Sequence, residues 1–362
     1  MAFGVYVHVP WCSSRCGYCD FNTYVPRGDE PSGYAATAIA EIALMRGALG
    51  DVRPATVFFG GGTPTLLGPA DLAAVLRALD PLPGAEVTIE ANPDTVDEAR
   101  FAALLDAGFT RVSIGMQSAA EHVLRTLERV HTPGRAVAAA AEARAAGFEH
   151  VSLDLIYGTP GESDDDWRMS VDAALTAAPD HVSAYALTLE RGTRLMAAVR
   201  AGRLPALDED ALADRYEIAD AAFTAAGLDW YEVCNWAAAA DDRCRHNINY
   251  WTGGDWWAIG PGAHGHVGGT RFWTHRHPVR HAAAVAAGEL PIAGREVLDA
   301  GQVELERVML GVRLADGLPL TERQVPVAEQ LVEDGLLEVS RGRAVLTARG
   351  RRLADVVIRA LA

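Results

Sequence analysis

The sequence predicts an α/β fold, a parallel sheet covered by helices, over roughly its first two-thirds. Three observations support this. Short runs rich in β-branched residues fall at 5–9, 56–59, 87–90, 111–115, 151–156 and 182–187, each ending near Gly, Pro or a polar residue. Helix-patterned segments lie between them at 34–48, 70–79, 96–107, 135–146 and 166–177. Several of these stop at a glycine, as at Gly108 and Gly147, where a left-handed residue ends a helix. Repeated strand–helix alternation implies parallel strands with helices outside. Six such units suit either a partial barrel or an open sheet, and the pattern does not separate the two. In both, functional side chains collect at the C-terminal ends of the strands.

The pattern changes after about residue 208. A helix-like run reaches Gly227, and an aromatic-rich stretch covers 230–273. The tail from about 297 reads as helix at 304–312 and 321–335, short β pieces at 336–339 and 344–346, then a last helix. Helices followed by a small hairpin resemble a winged-helix module. The expected organisation is therefore a core over 1–207, an aromatic-rich extension over 208–296 and a winged-helix-like tail over 297–362.

Charge narrows the partners. With 32 basic and 48 acidic residues the formal net charge is −16, which opposes phosphate backbones, and no Lys/Arg stripe offsets it. No nucleic-acid partner is expected, and the winged-helix-like tail reads as a packing or partner module. The opening MAFGVYVHVPWC has neither a basic n-region nor a long apolar core, so it does not read as a signal peptide. No apolar run is long enough to span a bilayer. The expectation is a cytoplasmic protein without a membrane span.

The chain has five cysteines, and three of them fall within Cys12-Ser-Ser-Arg-Cys16-Gly-Tyr-Cys19, directly after the first strand. An odd count with such clustering points to a metal rather than a disulfide framework. Zinc sites usually take four ligands, commonly as separated pairs. A compact iron–sulfur cube can be wrapped by one short loop. Three thiolates would leave one iron of a [4Fe–4S] cluster open to chelation by a small molecule. Cys234 and Cys244 read as buried free thiols.

Polar residues recur at the later strand ends. Phe59-Gly60-Gly61-Gly62-Thr63-Pro64 follows the second strand, and consecutive glycines let backbone amides approach a ligand. Glu90, Gln117 and Asp154 each interrupt an apolar run. Arg129 suits a carboxylate partner or a surface helix equally well. Farther on, Arg245-His246-Asn247-Ile248-Asn249-Tyr250-Trp251 joins a histidine to two large aromatics. His264, His266, His275, His277 and His281 follow and read as pocket-lining or structural, with reserve capacity as metal ligands.

The CxxxCxxC spacing resembles the radical S-adenosylmethionine (SAM) superfamily. YVHVPWC, GGGTPT, IEANP, GMQS and DLIYGTPGE, in that order, are similar to its coproporphyrinogen-dehydrogenase-like branch over most of the chain. The resemblance implies a partial (β/α)6 barrel with a helical C-terminal domain, and a [4Fe–4S] cluster on Cys12, Cys16 and Cys19. It also implies SAM contacts from Tyr6, Gly61, Gly62, Thr63, Glu90, Gln117, Arg129 and Asp154. Two departures count against the dehydrogenase of that branch. Its fourth cysteine is replaced here by Phe21, after Asp20, and few residues stand where it has an N-terminal extension. HNxxYW resembles the signature of HemW-type haem chaperones, which implies His246 as a haem ligand. The resulting expectation is a haem-binding chaperone that passes haem to an acceptor, a respiratory haemoprotein. Contact with a membrane protein and pairing with a second copy are compatible with it. The rival readings are a radical SAM enzyme, dehydrogenase or methyltransferase, and a DNA-binding redox regulator.

Overall fold

The computed structural model of the chain describes residues 3–28 and 30–362. Six strands follow the sequence pattern: β1 (Gly4–Val9), β2 (Thr56–Gly61), β3 (Glu86–Ala91), β4 (Arg111–Gln117), β5 (His150–Tyr157) and β6 (His181–Ala186). They pair in parallel in chain order, with Val5 beside Val57 and Val57 beside Val87. Strand residues alternate between two faces. Val5, Val7, Val57, Phe59, Val87, Ile89, Val112, Ile114, Leu153 and Val182 pack under the helices and are fully or almost fully buried. Their neighbours Phe58, Thr88, Glu90, Ser113, Asp154 and Ser183 line a cavity enclosed by the sheet.

The helices occupy the expected places. Tyr34–Leu49 buries Ala38, Ile42 and Met45, and Pro69–Leu79 buries Leu72, Val75, Leu76 and Leu79. Arg135–Ala146 presents only alanines, Ala136, Ala139, Ala140 and Ala143, at i, i+3, i+4 and i+7. Each large side chain so buried contributes about 1.5–3 kcal/mol. Asp164–Thr176 begins with a reciprocal capping box between Ser163 and Asp166.

The later segment adds to the same sheet. Strands β7 (Asp229–Glu232) and β8 (Asn235–Ala237) extend it antiparallel beyond β6. On the other side β9 (Trp256–Ile259) pairs in parallel with β1. Antiparallel β10 (His264–Val267), β11 (Thr270–Thr274) and β12 (Ile292–Val297) continue outward. Among the described residues the order runs β12-β11-β10-β9-β1-β2-β3-β4-β5-β6-β8-β7, with β12 and β7 unjoined. The barrel is thus partial, and its parallel part gains a seventh strand that the sequence pattern does not reveal. Trp256–Ile259 is four residues long and begins with two tryptophans. It carries too little β-branched character to stand out from the aromatic stretch.

The tail forms helix Ala300–Gly311, strand β13 (Leu318–Pro319), helix Val325–Glu333, the hairpin of β14 (Leu337–Ser340) and β15 (Arg343–Leu346), and two closing helices. It has its own core of Val308, Val312, Leu331, Leu337, Leu346, Val357 and Ile358. Arg351 fastens this core to the barrel. Its two terminal nitrogens donate to Asp220 at 2.7 and 2.8 Å, and its guanidinium lies 4.6 Å from the Trp230 ring centre. Asp220 also accepts from the Trp236 indole at 2.9 Å. Because this pair is mostly shielded from water, Arg351→Ala is expected to cost roughly 3 kcal/mol in urea unfolding. Limited proteolysis should then cut first in the tail.

Candidate metal and cofactor site

The cysteine loop leaves β1 at Pro10 and returns along itself. Cys12 N donates to the Tyr24 carbonyl and Tyr24 N to the Pro10 carbonyl, at 3.0 and 2.7 Å. Gly17 N reaches the Leu127 carbonyl, and Leu195 N reaches that of Gly17, at 3.0 and 2.9 Å. Cys12, Cys16 and Cys19 are all partly exposed and all line the barrel cavity, which holds about 400 Å³. Hydrogen-bond donors already address two of the sulfurs: Thr63 Oγ1 toward Cys12 Sγ and Arg129 Nη1 toward Cys16 Sγ, each at 3.8 Å. Desolvation pushes the Cys12 thiol up to about 11.

The glycine turn explains the loop's position. Gly62 N donates to the Val9 carbonyl at 2.7 Å and Thr63 N to the Trp11 carbonyl at 2.8 Å. A Cβ on Gly62 would stand 2.5 Å from that Trp11 oxygen, so only glycine allows the two strand ends this close. Gly61 has φ of +107°, and a Cβ there would collide with the His8 ring. The thiol set, the donors facing it and this side-chain-free cradle fit a cluster on the loop with a small ligand beside it.

The inner wall carries the remaining polar groups. Glu90 accepts from Gly61 N at 3.1 Å, and Asp154 accepts from Ser113 Oγ at 2.9 Å. Burial first, then the neighbouring Asp154, lifts Glu90 to about 7; burial lifts Asp154 to about 6. Gln117 ends β4 at a register shift with φ of +64°, a strained conformation that turns its side chain. Arg129 follows the helix Glu121–Thr126 after a left-handed Glu128, and its Nη2 donates to the Gly115 carbonyl at 3.1 Å. A Cβ on Gly115 would lie 2.8 Å from both Arg129 Nη2 and Gln117 Nε2. Glycine at that position is what lets both side chains into the cavity, so Arg129 faces the cavity and not the outer surface.

Tyr6 departs from this group. It does not line the cavity; its hydroxyl bonds His8 Nδ1 at 3.0 Å and its ring packs on Phe58. His8 Nε2 in turn bonds the Asn22 carbonyl at 3.0 Å. Asn22 donates to the carbonyls of Pro261 and Arg276 at 2.9 and 2.8 Å. Sequence reasoning missed His8 and Asn22. The alternation in β1 was the available signal, since Tyr6 and His8 share the inward face.

His246 also lies apart from the thiols. The helix Arg245–Trp251 sits under the barrel, its first amides on the Glu86 carboxylate: Arg245 N at 3.0 Å and His246 N at 2.9 Å. Sequence reasoning also missed Glu86 and Arg111, which is buried 3.5 Å from it. Both His246 nitrogens are occupied, Nδ1 with Thr56 Oγ1 at 2.9 Å and Nε2 with Tyr250 OH at 2.7 Å. The ring stacks on Phe58, its residue is 0 % exposed, and burial lowers its pKa to about 3. In this conformation a haem iron could take His246 only by displacing Thr56 or Tyr250 from the ring.

The later histidines do not converge either. His264 stacks on Trp273, His266 bonds the Gly254 carbonyl, His277 caps the helix Pro278–Ala286, and His281 is buried 3.1 Å from Glu41.

Comparison with known proteins agrees with this layout. Residues 6–174 match the radical SAM superfamily. The chain is 53% identical over 371 residues to Heme chaperone HemW of Mycobacterium tuberculosis, covering 99% of this chain and 94% of that one. Heme chaperone HemW of Bacillus subtilis is 32% identical over 370 residues, covering 97% of each. Among solved structures, the coproporphyrinogen III oxidase HemN of Escherichia coli, a radical SAM enzyme, superposes with a TM-score of 0.83 at 21% identity. It covers 99% of this chain and 90% of its own, and the likeness is one of fold.

His246→Ala removes two buried hydrogen bonds and opens a void beside Phe58. It is expected to cost about 2–4 kcal/mol in urea unfolding. A loss below 0.5 kcal/mol, roughly what a surface change gives, would show that the histidine is not part of the packed floor.

Proposed function

Since this chain belongs to the HemW family of heme chaperones, within the radical SAM superfamily, we propose that it binds haem and passes it to an acceptor haemoprotein. One observation carries the reading: the thiol loop, the glycine turn and two buried carboxyls open onto a single cavity, in a chain whose likeness to those chaperones runs end to end. Membership of the radical SAM superfamily implies a [4Fe–4S] cluster and SAM. In this reading Cys12, Cys16 and Cys19 hold the cluster. Gly61, Gly62, Thr63, Glu90, Gln117, Arg129 and Asp154 hold SAM, and Tyr6 acts from behind through His8. When bound, the cluster supplies a one-electron reductant and an open iron for SAM.

The protein's own groups divide the remaining work. Glu90 accepts from the ligand's ammonium, Asp154 from hydroxyl or amino groups, and Arg129 pairs with its carboxylate while holding Cys16. His246 reaches haem iron only after Thr56 or Tyr250 gives up its hydrogen bond to the ring. The acceptor is proposed to be a respiratory haemoprotein and the setting the cytoplasm, with contact to a membrane protein and pairing with a second copy as part of the transfer. No helix among the described residues is long and apolar enough to cross a membrane. The polar residues that line the cavity, Tyr6 apart, favour a second reading, a radical SAM enzyme acting on a tetrapyrrole or transferring a methyl group. Product screening with SAM and reductant tests it.

SAM binding should depend on pH with a defined sign. SAM is cationic at its sulfonium and ammonium, so it favours ionised Glu90 and Asp154. Affinity is expected to be full well above pH 7, to fall toward about tenfold per pH unit as Glu90 protonates below pH 7, and to fall more steeply under about pH 6 as Asp154 protonates too. Calorimetry on the anaerobically reconstituted chain measures this, and Glu90→Gln should flatten the upper part of the curve. A flat profile in the unaltered chain would remove these carboxyls from the SAM site. Haem titration followed at the Soret band tests the chaperone reading itself. Saturable binding, with transfer to an apo-haemoprotein, is expected; the absence of binding would move the assignment to the enzyme.

A further inference from the structure

Because His246 is sealed beneath the barrel, haem arriving from solvent must meet the closed chain elsewhere. Single exposed apolar residues are normal on a protein surface. Here three of them line one cavity, Phe21 and Val130 most exposed and Tyr185 beside Ser183 and Asp154 on the inner wall. Phe21 is 58% exposed, Val130 68% and Tyr185 43%, and all three line the cavity that the cysteines line. They come from separate parts of the chain: the end of the cysteine loop, the turn after the helix Glu121–Thr126, and strand β6. Ile156 and Leu187 continue the apolar wall inward. Phe21 and Val130 belong to none of the packed cores among the described residues, so folding alone does not account for them.

The charges at this mouth are uneven. Arg15 lines it from the cysteine loop; its Nη2 donates to the Cys19 carbonyl at 3.3 Å and meets no carboxylate among the described residues. Asp20 and Glu190 line the mouth as well. A ligand suited to this pattern is flat and apolar over most of its area, with its anionic groups gathered on one edge. Haem has that form, a broad hydrophobic ring with two propionates on the same side.

We propose that the cavity mouth is where haem first docks, one face of the macrocycle on Phe21, Val130 and Tyr185 and its carboxylate edge at Arg15. The proposal rests on the haem-handling reading above and adds the place of first contact. Docking there needs no opening of the helix Arg245–Trp251 and no histidine ligand. It would bring haem within reach of the cluster loop, whose last cysteine stands two residues before Phe21. Phe21, where the dehydrogenase of the branch has a further cysteine, then has a physical consequence: it supplies part of an apolar platform.

The test is a Soret titration of the full-length, cluster-loaded chain in the presence of SAM. Phe21→Ser and Val130→Ser are each expected to weaken haem several-fold, and the double variant about tenfold or more. Arg15→Gln should weaken haem but not a haem ester lacking free carboxylates. Phe21→Trp should keep affinity. Val279→Ser, exposed but away from the mouth, serves as a control that should bind as the unaltered chain does. Iron and sulfide per chain and the unfolding midpoint establish that each variant is folded and loaded. If the unaltered chain binds no haem, the chaperone reading itself falls. If it binds haem and the mouth variants match it, the docking site alone falls. Weakening confined to His246→Ala places haem at the opposite end and overturns the proposal. Mouth variants that bind haem normally but no longer transfer it would assign the platform to the acceptor protein instead, and overturn it too.

Discussion

The close approach of two strand ends, β1 and β2, governs the rest of the site. Gly62 brings its backbone against the Trp11 carbonyl in a space that no Cβ could share. That contact supports two amide bonds, from Gly62 and Thr63, which fix where the chain turns into the cysteine loop. The loop's other half is held by Tyr24 and by the turn at Leu127, so three distant segments agree on one position for the thiols. Under the same turn His8 fills the space that Gly61 leaves, and through Asn22 it ties the loop to the strand segment around Pro261 and Arg276. The site is therefore set by missing side chains as much as by present ones.

The barrel has two unlike ends. At the C-terminal ends of the strands it is open and polar, with Glu90 and Asp154 held in a desolvated wall that favours a cationic ligand. At the other end it is plugged. A buried carboxylate such as Glu86 is costly unless charge and hydrogen bonds compensate it. Glu86 has both, from the Arg111 guanidinium and from the free amides at the start of the helix Arg245–Trp251. His246, Asn249 and Tyr250 of this helix all serve this plug: His246 to Thr56, Asn249 to the Asp255 carbonyl, Tyr250 to His246. The helix Arg245–Trp251 is thus a structural plug in the floor of the barrel. Any role for His246 at iron and its role in the floor exclude one another at a given moment.

That exclusivity gives the fold a direction. The desolvated carboxyls of the interior suit a small cationic ligand, and the platform proposed for haem lies on the apolar rim. The tail stands outside both ends, joined through Arg351, Asp220 and Trp230 to the barrel's β7 edge.

Much of this architecture was legible in the residues themselves. The six parallel strands, their helices, the thiol spacing and the glycine triplet all depend on patterns within about ten residues of one another. Hydrophobic periodicity and backbone freedom act at that range. What the tertiary structure alone decided involves partners far apart in the chain. Trp256–Ile259 becomes a parallel strand only because β1 offers it an edge. Glu86 becomes the seat of a helix about 160 residues later, and the ring of His246 turns inward because Thr56 and Tyr250 together satisfy both its nitrogens. Tyr6 turns to His8 rather than to the cavity for the same kind of reason. Spacing and composition specify which side chains a loop or strand presents. Which of them stay free for a ligand is settled by whether packing supplies another partner first, and a buried polar group takes the partner that packing brings to it.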